Sequence, residues 1–167
     1  ARILDSMKKR TGVIFILLLA FFGLANATYL AQSEASRTPL ICDIESLSGC
    51  NTVASSPYAY FFGIPLAEYG VFFYGVLFVL AAIELALFNR FLRRTLQAVA
   101  VLGVLFSLYF SALQLFVINA FCIYCIASAI IALLVLICAS AIEPIRVRKE
   151  APPSVQPHPY LRMPPEA

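Results

Sequence analysis

The stretch Phe121–Ile142, FCIYCIASAIIALLVLICASAI, decides the fold. It carries no charge, opens on two cysteines spaced i and i+3, and is long enough to cross a bilayer, which takes roughly 20 mostly apolar residues in a helix. Three more stretches have comparable length and apolarity, at about Thr11–Leu30, Gly70–Phe88 and Leu96–Ile118. Composition agrees: 62% of the 167 residues are hydrophobic, only 13% are charged, and the mean hydropathy is +0.89. Unpaired backbone is too costly in lipid, so each span is expected to be helical. The expected architecture is an all-α integral membrane protein, a four-transmembrane-helix bundle occupying residues 11–142. Residues 1–10 and 143–167 flank it.

Basic residues set the expected orientation, because Lys and Arg near span ends stay on the cytoplasmic side. Lys8, Lys9 and Arg10 precede the first span, Arg90, Arg93 and Arg94 lie between the second and third, and Arg146, Arg148 and Lys149 follow the fourth. Both termini are therefore expected in the cytoplasm, with Ala31–Tyr69 and the turn between the third and fourth spans on the other face. The first span also has the form of a cleavable signal peptide, with Ala25-Asn26-Ala27 as its cleavage site. Retention is favoured because it keeps an even span count in agreement with the charges. Residues 1–6 precede Met7 and are set aside as a remnant or a clipped start. The prolines after Glu143 predict an extended cytoplasmic tail. His158, the one histidine, has no neighbour at metal-ligand spacing, so no metal is expected. The net charge of +3 resides on the cytoplasmic flanks, and no nucleic-acid surface is implied.

Chemistry is carried by cysteine placement. Cys122 and Cys125 fall in the first turn of the last span, where unpaired N–H groups and the helix dipole favour a thiolate, and their spacing permits a reversible disulfide. Two unrelated buried thiols are the plain alternative. Cys42 and Cys50 share the outer loop, where the bland reading is a stabilising bridge and the sharper one a labile disulfide that exchanges with other thiols. Four cysteines on one face make a relay possible. Cys138 lies thirteen residues beyond Cys125, about 20 Å deeper along a helix, and is expected to be inert. Within the spans, Glu84 is expected to pair with Arg90 or to snorkel toward the headgroups.

Four segments taken together resemble the vitamin K epoxide reductase family in its compact bacterial form. They are Cys42-Asp43-Ile44, Ser48-Gly49-Cys50-Asn51-Thr52-Val53-Ala54-Ser55-Ser56-Pro57-Tyr58, Phe62-Gly63-Ile64-Pro65-Leu66 and Cys122-Ile123-Tyr124-Cys125. The resemblance implies a thiol oxidase that reduces a lipid quinone of the ubiquinone, menaquinone or vitamin K type. Cys125 would stand beside the quinone, Cys122 would exchange with Cys50, and Cys42 would receive electrons from a periplasmic or lumenal thioredoxin-fold, DsbA-like partner, a separate protein here because no such domain is fused. Ser56 matches the family's serine near the site. The cysteines would face the periplasm of a bacterial inner membrane, or an ER lumen. A short interfacial segment hinged at Gly49, Pro57, Gly63 and Pro65 would cap the quinone with Val53, Tyr58, Tyr60, Phe61 and Phe62; an interfacial aromatic belt is the alternative. Candidates to hold the quinone are Phe62, Gln114, Asn119 and Tyr124.

Departures bear on the substrate. Ala59 and Ala129 stand where vertebrate members have an asparagine and a tyrosine that contact the vitamin K head group, which disfavours epoxide reduction. The quinone-side pair comes last in this chain, unlike DsbB-type oxidases, where it comes first. Two other classes compete: a tetraspan structural protein with a stapled outer loop, and a membrane metal-binding protein that gathers the thiolates.

Overall fold

The computed structural model describes residues 2–41 and 49–143. Cys42, in the outer loop, and the proline-rich tail with His158 lie outside the described residues. Helix α1 (Arg2–Ser36) is followed by the short helix α2 (Cys50–Ala54), a 3-10 turn at Pro57–Ala59, and a hairpin of β1 (Tyr60–Phe61) and β2 (Ile64–Pro65). Then come α3 (Leu66–Leu87), α4 (Arg90–Leu113), a π-helical turn at Gln114–Ile118, and α5 (Ile123–Ile142). Four helices, α1, α3, α4 with its π turn, and α5, are long and apolar enough to cross a membrane. The fold is the expected all-α membrane bundle.

Helix α1 is longer than its apolar run, 35 residues or about 52 Å. It therefore projects beyond a hydrocarbon core of about 30 Å. Lys9 pairs with Asp5 one turn away at 2.9 Å on the basic end. Ala25-Asn26-Ala27 is part of the packed helix, with Ala27 buried against Gly70 of α3.

The helices pack in the cyclic order α1, α3, α4, α5, with α3 and α4 meeting least closely. The main core runs through Val13, Ile16 and Ala20 of α1, Leu77 and Ala81 of α3, Leu96 and Ala100 of α4, and Val135 and Ala139 of α5. Tyr74 of α3 reaches across it. A Cβ at Gly23 would stand 2.7 Å from the ring's Cζ, so only glycine admits the ring there. Its hydroxyl donates to the Ser128 carbonyl of α5 at 2.7 Å, which satisfies the one polar atom the ring carries inward.

A charged network closes the basic end. Glu84 is completely buried, and Arg93 Nη1 of α4 donates to its Oε1 at 2.8 Å while the Asn89 N–H donates to Oε2 at 3.0 Å. Arg93 Nε also bonds Glu143 at 3.2 Å, and the Gln97 amide donates to the Ala139 and Glu143 carbonyls. The partner of Glu84 is thus Arg93, not Arg90 as the sequence suggested. Asn89 caps α4 by accepting from the Phe91 N–H, and Arg90 in the first turn points outward, 73% exposed, reaching only Glu143 at 3.7 Å. Arg93 lies one turn further in and faces the interior.

Candidate functional site

At the opposite end the chain leaves regular helix, and Cys50, Cys122 and Cys125 gather there. Helix α4 widens into its π turn at Gln114–Ile118 and stops at Asn119, which has φ 50°. Such π turns interrupt helices mainly where a site needs a side chain re-aimed. Here the Gln114 carbonyl accepts the N–H groups of Asn119 and Ala120, and its buried side chain accepts the Cys122 N–H at 3.4 Å. Gln114 also hydrogen-bonds the Cys125 thiol.

Helix α5 starts two residues later than the expected span. Cys122 is its extended N-cap residue (φ −106°, ψ 114°), not part of the first turn, and Cys125 is the third helical residue. The reason is steric continuity with the sharp left-handed turn at Asn119, which brings the chain into α5 extended. The consequence for chemistry survives, because an N-cap side chain sits over the unpaired N–H groups of the first turn. The hydrogen-bonding Cys125 thiol holds the Cys122 thiol down at about 7 against the burial that raises it, and the Cys125 and Tyr124 N–H groups assist, short of a closed cap bond. Near neutral pH, Cys122 is therefore a ready nucleophile. Cys122, Cys125 and Cys138 are free thiols.

Cys50 opens α2 and is disulfide-bonded. It is wholly buried in a cluster with Cys122, Leu40 and Val53, and Tyr124 and Cys125 pack against that cluster. Gly49 makes the approach possible: a Cβ there would lie 2.6 Å from the backbone N and O of Phe121, next to Cys122. Cys138, by contrast, packs against the main core with Ala139 and Ile142.

Loop and bundle are tied by bonds that periodicity does not reveal. Asn51 accepts the Leu40 N–H at 2.9 Å. Tyr29 of α1 and Tyr124 of α5 pack ring to ring at 5.3 Å and grip Ile41, which donates its N–H to the Tyr29 hydroxyl and accepts from the Tyr124 hydroxyl. Ser56 donates to the Val53 carbonyl at 2.8 Å, closing the turn after α2. Asn26 of α1 donates to the Tyr124 carbonyl at 3.1 Å.

These elements enclose a cavity of about 580 Å³ whose wall includes Cys50, Cys122 and Cys125. That volume suits a planar ring ligand with part of an apolar tail. Aromatic and aliphatic side chains dominate its wall, and Phe72 of α3 with Leu102, Phe106 and Tyr109 of α4 are exposed members, so it opens between the two helices that pack least closely. Val53, Tyr58, Tyr60 and Phe61 cover it from the loop side.

Of the side chains the sequence put forward as ligands for a ring, Gln114 is in the wall. Phe62 is not: it is 88% exposed at the tip of the hairpin, where Phe62 and Gly63 both take positive φ to make the tight turn. Asn119 is outside the wall, its residue consumed by the left-handed chain reversal, and Tyr124 turns its ring toward Tyr29 and Ile41. Ser56 and Ala59 line the wall, whereas Ala129 does not and its neighbour Ser128 does. Asn26, Glu34, Tyr74 and Ser128 also line the wall, with no signal in the sequence that places them there. In the sequence Asn26 belongs to a cleavage pattern, and no spacing rule brings a residue of the first span beside one of the last.

An apolar cavity with a thiol pair at its edge, one of the two buried, and a bonded cysteine from a loop packed on it is the setting of thiol–disulfide exchange. The family model for vitamin K epoxide reductases matches residues 14–140. The chain belongs to the vitamin K epoxide reductase family. No curated protein matches it. As a vitamin K epoxide reductase family member it is, in general terms, an integral membrane thiol–disulfide oxidoreductase and quinone reductase, of a family that works with thioredoxin-like partners.

Proposed function

We propose that this protein oxidises a thioredoxin-fold partner outside the cytoplasm and passes the two electrons through Cys42 and Cys50, then Cys122 and Cys125, to a lipid quinone. The observation that carries the reading is the shared burial of Cys50 and Cys122 at the edge of an apolar cavity that also contains Cys125. Exchange requires a thiolate in line with a disulfide sulfur. In the proposed direction the thiolate is that of reduced Cys50, whose loop is backed directly onto Cys122 through Gly49. It attacks Cys122 of the Cys122–Cys125 disulfide and releases Cys125. Cys122, which favours the thiolate, leaves in turn when the Cys42 thiolate closes the bond back to Cys50.

The residues present suit a quinone as substrate. Flat aromatic walls take the ring, the gap between α3 and α4 takes the tail from the bilayer, and Cys125 with Gln114 marks the polar end. Reduction by two thiols breaks two S–H bonds, forms one S–S bond and places two hydrogens on the quinone oxygens. Ser56 holds the covering turn. Ala59 in the wall offers no amide to a ring carbonyl, which favours a respiratory quinone over an epoxide. The active face is the periplasm, or an ER lumen, with the basic end in the cytoplasm.

The test is anaerobic reduction of a short-chain ubiquinone by the purified chain, with a reduced DsbA-like protein as donor. Wild type and Cys138→Ser turn over, while Cys125→Ser falls at least about a thousandfold, the scale on which losing a nucleophile acts. Turnover by Cys125→Ser, or none by folded wild type, would remove the proposal.

A further inference from the structure

Quinone reduction moves protons as well as electrons, and the cavity contains a group with no structural employment. Glu34 lies near the end of α1, on the face that also turns Ala27 and Leu30 into the cavity wall. Its Oε2 is buried and has no hydrogen-bond partner, the single buried side-chain polar atom of which this is true among the described residues. None of the ion pairs formed there includes it. An orphaned buried carboxylate oxygen costs stability and therefore asks for a reason. Glu34 is also near enough to Cys125 for its charge to act on that thiol.

The inward polar groups nearest the sulfurs are occupied. Ser56 donates to Val53, Tyr74 engages Ser128, Asn26 donates to Tyr124, and Gln114 accepts from Cys122. Glu34 is the one carboxyl in the wall.

We propose that Glu34 is the proton carrier of the site, taking the proton of the Cys125 thiol and delivering it to a quinone oxygen. The inference rests on the thiol:quinone reading above. Cys122 at its helix N-terminus sheds a proton readily, whereas Cys125 lies further inside the apolar end of α5 and needs a base within the cavity. The balance closes as follows. Glu34 carboxylate accepts the Cys125 proton as that sulfur becomes a thiolate; two electrons leave the sulfurs as the Cys122–Cys125 bond forms; Glu34 returns its proton to one quinone oxygen. The proton shed by Cys122 is matched by one taken up from water at the second oxygen. Glu34 ends as it began, and dithiol and quinone have become disulfide and hydroquinone.

A base must be ionised to act, so turnover should fall as pH drops and Glu34 becomes protonated. The charged and titratable groups around it are Glu68 of α3, Cys122 at the N-cap of α5 and Cys125 in its first turn, Tyr69 and Tyr74 of α3, Tyr109 of α4, and Tyr58 and Tyr60 in the covering segment; Arg37 follows three residues on, just past the end of α1.

The experiment uses the full chain in lipid nanodiscs, dithiothreitol as donor and a short-chain ubiquinone as acceptor, with turnover followed anaerobically from about pH 5.5 to 9. Glu34→Gln is expected to lower kcat about a hundredfold and to abolish the acid limb, with the quinone KM within about threefold, and Glu34→Asp to restore much of the rate with a displaced limb. A Glu34→Gln rate within about threefold of wild type, with the same pH profile, overturns the proposal. Should Glu34→Gln not fold, Glu34→Asp decides: a displaced acid limb supports the carrier, and an unchanged rate and profile overturn it. Absence of turnover in folded wild type overturns the quinone reading and this inference together, a result distinct from active wild type with an indifferent Glu34.

Discussion

At the basic end of the bundle Glu84 is fully buried and both its oxygens are bonded, whereas at the cysteine end Glu34 keeps a buried oxygen with no partner. The contrast extends to the backbone. Near Glu84, α3 and α4 are joined by a two-residue turn capped at Asn89, and Arg93 ties α4 both to α3 and to the end of α5. Near Glu34, regular helix gives way to a π turn, an extended N-cap, a hairpin with two positive-φ residues and a loop gripped by two tyrosines. One end is a satisfied clamp that fixes where the helices stand. The other accepts local strain to bring sulfurs and an acid into one apolar chamber, as functional sites commonly do.

The sharpest way to break the comparison is at the clamp. Glu84→Ala removes the buried partner of Arg93 and leaves it only the part-exposed Glu143, and is expected to cost about 3 kcal/mol in denaturant unfolding, while the folded fraction keeps its quinone turnover. Loss of turnover at full stability would show that the two ends are not independent. At the cysteine end, Gly49→Ala sets a methyl against the Phe121 backbone, and a cost of about 1–3 kcal/mol is expected, together with slower exchange between the loop disulfide and Cys122 by rapid-quench mass spectrometry.

A smaller effect follows from the Cys122 thiol at about 7. Its alkylation by iodoacetamide in the reduced protein should fall about tenfold for each unit of pH below that value, since each unit removes 1.36 kcal/mol of preference for the thiolate. The sign for stability is the same. A thiol depressed from 9.0 contributes in full above pH 9, and that contribution is lost as pH falls through about 7. Alkylation that begins only near pH 9 would mean that the helix N-terminus and Cys125 do not favour the Cys122 thiolate. Smallest is Tyr124→Phe, which removes the hydroxyl bond to the Ile41 carbonyl; about 1 kcal/mol is expected, seen as faster hydrogen exchange around Ile41 with the bundle amides unchanged.

Much of this architecture was legible in the residue order. Apolar length and the absence of charge are local properties, and bilayer thickness converts them into spans without knowledge of neighbours. The cysteine spacing around Tyr124 announced a thiol pair for the same reason, since a helix start fixes its own geometry. What remained hidden depended on which faces meet. Glu84 is expected from the sequence to pair with Arg90 or to snorkel, and only the direction in which α4 leaves its cap brings Arg93 to it instead. Gln114, Asn119 and Tyr124 are equally polar in the sequence, but the π turn sends the first into the cavity, spends the second on a chain reversal and leaves the third holding Ile41. Asn26 and Glu34 belong to the first span and have no reason, along the chain, to be near Cys125. The sequence by itself therefore determined a four-span membrane protein with a thiol pair at the start of its last span, because hydrophobic length and charge act residue by residue. Only the tertiary structure decided the wall of the cavity and the acid within it, because helix packing sets which distant side chains face the same space.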